Sequence, residues 1–297
     1  MYVGTAGWTD RTLTATGVFY PREAASPEGR LRYYASRFPM VEVDATYYAL
    51  PQAAMAAAWA DRTPDDFTFD VKAHALMTGH ATEVDRLPAW LRAELPPELA
   101  KQRRVATKAL PQELVDAAWA AFLDALQPLA ETDKLGAILL QYPRWFMPGK
   151  AAEETLRRAR ARLGDVRGAV EFRNRAWLEG TQAARTRALL AGEGLSFVGV
   201  DAPRGLRSGL PPVAMVTAPA LAVVRLHGRR ADQWERRGAT VAEKYRYLYD
   251  RSELAEWVPK VSELAGEAEE VHVVFNNCYG NYGTTNALEA QEMLAGR

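Results

Sequence analysis

Eight short β-type runs recur along the chain. They lie near Tyr2–Gly7, Val41–Asp44, Thr68–Lys72, Ala137–Gln141, Ala169–Arg173, Ser196–Asp201, Ala222–His227 and Val271–Asn276, and helical patterns separate most of them. Strands alternating with helices predict a parallel α/β sheet. Eight such strands close a TIM-type (β/α)8 barrel, whose usual size is about 250 residues. At 297 residues the chain fits one such domain spanning 1–297. Helical spacing is read over Glu28–Phe38, Gln52–Arg62, Gln112–Leu126, Ala151–Leu163, Ser252–Ala265 and Thr285–Leu294. Pro259 is expected to kink or shift the fifth of these. Residues of about 75–110 exceed what one loop needs, and "LPAWLRAELPPELAKQRR" has helical spacing with proline breaks, so a helical insertion after strand 3 is expected. The Pro- and Gly-rich Ala202–Ala220 predicts a reduced or missing helix after strand 6.

Charge lies along these strands where a packed barrel would be apolar. In "AVEFRNRAW" Glu171 and Arg173 stand two apart, so they share a face. The same spacing pairs Glu42 with Asp44, Asp70 with Lys72, and Arg225 with His227, while Gln141, Asp201 and Asn276 end their strands. Active sites of such barrels sit where strands end and βα loops begin. Buried charges are costly unless paired. Two readings follow: a polar pocket for a small anionic ligand, or a structural ion-pair network.

Each residue carries alternatives. Glu171 is either a general acid or base, or the tether of Arg173 and Arg225. Asp44 and Asp201 fit a base, a metal ligand or a helix-start cap. Arg173 and Arg225 suit bidentate binding of phosphate or carboxylate, and Lys72 fits an anion-binding charge, a base of depressed pKa or the partner of a carboxylate. His227 fits a proton shuttle or a structural role. Of His74 and His80, His80 is favoured to enter the site, and His272 is expected away from it. Aromatic residues crowd the same loops, among them Tyr48, Trp145, Trp177 and Trp234, as packing anchors or as faces for a sugar or base. Gly228–Asp250 is expected to form a lid. In "FNNCYGNYGTTNALE", Thr284 or Thr285 is expected to cap the last helix, beside either a second anion site or an ordinary glycine turn.

Global composition removes other classes. Lys plus Arg equals Asp plus Glu at 37 each, so no net field draws the chain to nucleic acid or membrane. No apolar run reaches membrane-spanning length. Cys278 is the single cysteine, so no internal disulfide forms. "MYVGTAGW" lacks secretory features, and the expectation is a cytoplasmic protein. Walker, G-x-G-x-x-G, H-E-x-x-H and paired-cysteine motifs are absent, and no cofactor is expected. Glu171, Asp201 and His227 are the alternative divalent-metal set, disfavoured by the interleaved Arg and Lys.

"VGTAGW", "FYP", "VEVDATYY", "FDVKA", "LGAILLQYP", "VEFRNRAW", "VVRLHGR" and "VFNN" together resemble the YecE-like family, also called domain of unknown function 72. The resemblance spans nearly the whole chain and implies a TIM-type barrel. It implies no established reaction. It places Glu42, Thr46, Tyr48, Lys72, His80, Gln141, Glu171, Arg173, Trp177, Asp201, Arg225, His227, Gly228, Asn276 and Asn277 in the family pattern. Asp44 stands where that pattern usually has Asn, Asn174 where it has His, and Ala73, beside His74, where it has Pro or Ser.

The expected function is acid/base chemistry on a phosphorylated or carboxylated, sugar-like substrate. Glu171, Asp44 and His227 would be catalytic. Lys72, His80, Gln141, Arg173, Trp177, Asp201, Arg225, Asn276 and Tyr48 would bind. The alternatives are a non-catalytic binding or sensing module, and a nucleic-acid-processing protein using Leu91–Lys108.

Overall fold

The computed structural model describes residues 1–206, 209–236, 238 and 240–296. The barrel strands are β1 (Tyr2–Ala6), β2 (Met40–Val43), β3 (Thr68–Lys72), β4 (Leu135–Gln141), β5 (Gly168–Glu171), β6 (Ser196–Asp201), β7 (Ala222–Leu226) and β8 (Val271–Phe275). Each strand pairs in parallel with its sequence neighbours, and β1 pairs with β8 to close the barrel. Five strands, β1, β2, β5, β7 and β8, stop one or two residues before the expected ends. Asp44, Arg173, His227 and Asn276 therefore stand on the first residues of βα loops.

Period two divides each strand between two environments. Val41, Val43, Phe69, Val71, Val170 and Phe172 join the large apolar core that includes helix residues such as Trp59, Phe122 and Leu156. The opposite faces point into the lumen. There Ala6, Met40 and Val274 form a small apolar layer of their own. Toward the strand starts, Asp70 lies 2.9 Å from His272 Nδ1 across that lumen. Toward the strand ends come Glu42, Glu171 and Arg225. Gly136 is required beside Asp70: a Cβ there would stand 2.5 Å from Asp70 Oδ1 and 2.6 Å from Thr68 Cγ2.

Helices follow most strands. The Gln112–Ala130 helix buries Val115, Trp119, Phe122, Leu126 and Leu129 on one face and runs past its expected end. Around Pro259 the expected single helix is two, Arg251–Ala255 and Val258–Glu267, with the proline in the first turn of the second. A helix at Thr181–Gly192 completes the unit after β5. After β6 no helix occurs among the described residues before β7. The insertion after β3 carries two short helices, Ala89–Ala93 and Pro97–Ala100. It also carries an unanticipated antiparallel ribbon, Ala81–Glu83 with Arg104–Ala106. The last helix starts at Tyr282 with Asn281 before it, and Thr284 donates to the Asn281 carbonyl. Thr284 and Thr285 thus lie inside the first turn and do not cap it. Among the described residues no helix is long and apolar enough to cross a membrane.

Candidate active site

Glu171 is the centre of the mouth. It ends β5, is 0% exposed, and its carboxylate touches four side chains. Arg173 Nε and Arg225 Nη1 form ion pairs with it. Gln141 Nε2 donates at 2.8 Å, and His227 Nε2 lies 3.3 Å away. Burial alone would raise its pKa. Arg173 and Arg225 outweigh that and hold the carboxyl well below the usual range. Glu171 is therefore a fixed anion. The geometry supports the tether reading over the proton carrier.

Arg225 crosses the lumen. Its other terminal nitrogen pairs with Glu42 on β2, and its Nε has no partner among the described residues. The side chain is 0% exposed and both terminal nitrogens are occupied. The expected ligand contact by Arg225 is therefore corrected: it clamps two carboxylates below the cavity. Glu42 differs from Glu171. Burial pushes its pKa up, to about 8, against the pull of Arg225. Asp44 goes the other way. Burial opposes its ionisation, but Lys72, whose Nζ lies 3.2 Å off, and Arg225 lower its pKa. Lys72 stays charged because Asp44 offsets its burial. At neutral pH, Lys72, Arg173 and Arg225 thus face two anions, Asp44 and Glu171, with Glu42 holding a proton.

Above this cluster lies a cavity of about 520 Å3. Arg144, Arg173, Arg236 and Lys244 line it against one carboxylate, Glu235, among the described residues. Tyr47, Trp145, Trp234 and Tyr245 supply aromatic walls, with Gln141 and His80 between. Arg173 links the two levels. Its guanidinium lies 5.1 Å from the centre of the Trp234 ring and 3.2 Å from His227 Nε2. His80 accepts or donates at Nδ1 with Thr78 Oγ1, 2.9 Å away. Burial, with Lys72, Arg173 and Arg104 around it, pushes its pKa down to about 4. Burial and Arg173 lower that of His227 to about 3, and Asn276 Nδ2 sits 2.8 Å from its Nδ1. Both imidazoles are neutral at pH 7.

The segment after β7, where a lid is expected, packs over His227. Its ring lies 5.8 Å from Trp234 and 5.9 Å from Tyr245. One end is pinned by Arg229, which donates to Asp201 at 2.9 Å, and the other by Asn277, which donates to the Tyr247 carbonyl at 2.9 Å. Residues 237 and 239 of this segment lie outside the described residues.

Besides Arg225 and Lys72, which pairs with Asp44 and does not line the cavity, four expected contacts fall elsewhere. Trp177 is 0% exposed, stacks on Phe172 at 4.3 Å and donates to the Phe146 carbonyl. It lies in the 3-10 turn Arg175–Leu178 after β5 and packs into the large apolar core. Asp201 is buried and spent on Arg229. Asn276 holds His227 from below. Tyr48 is 46% exposed on the rim, beside Arg86 and outside the cavity lining. Among the described residues no three His, Cys, Asp or Glu gather as a metal site. Sequence reasoning missed Arg144, Arg236 and Lys244. Arg144 carried a positional signal, three residues past the end of β4, whereas Arg236 and Lys244 lie in the long segment after β7, beyond and within short helices.

The chain is similar to UPF0759 protein YunF of Bacillus subtilis strain 168, at 32% identity over 297 residues, 99% of this chain and 94% of that protein. A solved DUF72 family protein from Enterococcus faecalis V583 matches with a TM-score of 0.78 and 27% identity, covering 99% of this chain and 95% of that one. Another, from Thermotoga maritima MSB8, matches with a TM-score of 0.76 and 29% identity, covering 99% and 98%. Residues 2–297 match the family described as "Protein of unknown function DUF72", and the chain belongs to that family.

Proposed function

We propose that this chain holds a small phosphorylated or carboxylated molecule in the cavity above Arg173 and exchanges a proton with it through His80. The observation that carries the reading is the lining: four cations against one carboxylate among the described residues. Guanidinium groups match phosphate and carboxylate geometry. The aromatic walls suit the apolar face of a sugar ring.

His80 supports the chemical half. It is the neutral imidazole that lines the cavity, whereas His227 is fully buried. Arg173, one of the cations that add to burial in depressing the pKa of His80, also lines the cavity, so an anion held there offsets it and raises the proton affinity of His80. Glu171 serves by aiming Arg173, and Asp44 by keeping Lys72 charged. The insertion gives less support to nucleic-acid contact: Lys101 pairs with Glu98, and Arg86 and Arg103 with Glu83.

A native mass-spectrometry screen of phosphorylated and carboxylated metabolites tests the reading, followed by calorimetry of the hit in two buffers of different protonation heat. The expected result is binding with proton uptake. Arg173→Met should weaken it about tenfold or more, the worth of a charge-assisted hydrogen bond. His80→Gln should keep binding and lose the uptake. Affinity unchanged in Arg173→Met would refute the anion site. Binding without any conversion of the ligand would refute the proton-transfer half and leave a binding module.

A further inference from the structure

A second cavity, of about 670 Å3, opens between the insertion and the helices Gln112–Ala130 and Lys150–Leu163. It shares only Tyr142 and Trp145 with the cavity over Arg173. Its floor is apolar, with Met77, Val115, Trp119 and Phe146. Its charged lining is Lys108, Arg158 and Arg162, with no carboxylate among the described lining residues. The two arginines are paired from outside, with Glu154 and Asp116. Lys108 has no ion-pair partner among the described residues.

Tyr142 gives the independent observation. It follows Gln141, whose side chain reaches Glu171 in the lumen, so Tyr142 points to the opposite side, toward the helices. Its ring stacks on Phe146 at 4.2 Å and 15°. The residue is 0% exposed, yet its hydroxyl has no partner among the described residues. Arg162, across the cavity, is the charge that acts on it. A buried hydroxyl without a partner is costly. An acceptor atom in this cavity would remove that cost.

We propose that this second cavity is a binding site for an organic anion with a flat apolar body. The ring lies against Trp119 and the edge of Phe146, whose faces stack on Tyr142 and Trp177, an acceptor atom meets the Tyr142 hydroxyl, and the acidic group faces Lys108, Arg158 and Arg162. Aromatic walls select a planar ring through stacking, and few convergent polar groups then fix its orientation. His80 is not in its lining, although Thr78, which is, hydrogen-bonds the His80 ring, and the proposal does not depend on the chemistry proposed at His80.

The probe is 8-anilinonaphthalene-1-sulfonate, followed by fluorescence on the full chain, with neutral N-phenyl-1-naphthylamine as comparator. The expected result is one saturable site that binds the sulfonate about tenfold more tightly than the neutral compound, the worth of one charge-assisted hydrogen bond. Thr155 is exposed on the cavity wall, so Thr155→Trp can block the site without disturbing the core. It should abolish saturable binding with an unchanged circular dichroism spectrum. Tyr142→Phe, which keeps the ring, should weaken binding by about threefold to tenfold. Arg173→Met should leave it unchanged, which separates this site from the other cavity. Absence of saturable binding, equal affinity for the neutral compound, or binding indifferent to Thr155→Trp would overturn the proposal.

Discussion

Arg225 carries two carboxylates, and replacing each by its amide should give unequal results. Glu171 is ionised, fully buried, and holds Arg173 as well as Arg225. Glu171→Gln leaves two buried guanidiniums short of an anion, and removing one partner of a buried pair costs about 3–5 kcal/mol. Glu42 is protonated at neutral pH because burial raises its pKa to about 8. Glutamine copies that neutral shape and keeps an oxygen for Arg225, so Glu42→Gln should cost about 1 kcal/mol, a hydrogen bond's worth. The assay is urea unfolding at pH 7. The pH series gives the second check. Glu42 has a folded pKa above its ordinary 4.5, so the folded state binds the extra proton. Its term therefore lowers stability as pH rises from 4.5 toward 8, and Glu42→Gln should flatten that slope. Equal losses for the two variants, or a larger loss for Glu42→Gln, would refute the assignment of charge states.

At the other end of the lumen, burial opposes the charge on His272, but Asp70 raises its pKa to about 9. That stability is fully present below pH 6.5 and is lost as pH rises through 9. It amounts to about 3 kcal/mol, and thermal melts of Asp70→Asn should lack the slope. Gly136→Ala would bring a methyl within 2.5 Å of Asp70 Oδ1. It should destabilise by about 1–3 kcal/mol in urea, and an unchanged midpoint would contradict the packing. Trp177→Phe loses the donor to the Phe146 carbonyl. It should cost about 1–2 kcal/mol while ligand affinity stays the same, and a selective loss of affinity would restore Trp177 to the site.

The barrel was legible because period two and helical spacing alternate along the whole chain. The charged strand ends were legible as well: Glu171, Arg173, Arg225 and His227 do converge. Depth was not legible. Period two places Arg225 and Arg173 alike in the lumen, but only Arg173, two residues past Glu171 and beyond the strand, reaches the cavity. Asp70 and Lys72 share a face, yet one strand step separates the His272 layer from the mouth. Arg229 took Asp201 out of the site because an ion pair between a strand end and a distant loop leaves no local pattern. The ribbon in the insertion escaped notice because its strands, Ala81–Glu83 and Arg104–Ala106, are three residues each and far apart in sequence.

The central claim is that the mouth of the barrel is built to take an anion at Arg173. A crystal soaked in tungstate and measured at the tungsten edge tests it most directly. The account predicts an anomalous peak inside the cavity, within hydrogen-bond distance of Arg173 and bordered by Arg236 and Lys244, that disappears in Arg173→Met. Tungstate bound only on the outer surface, with the cavity holding water alone, would contradict it.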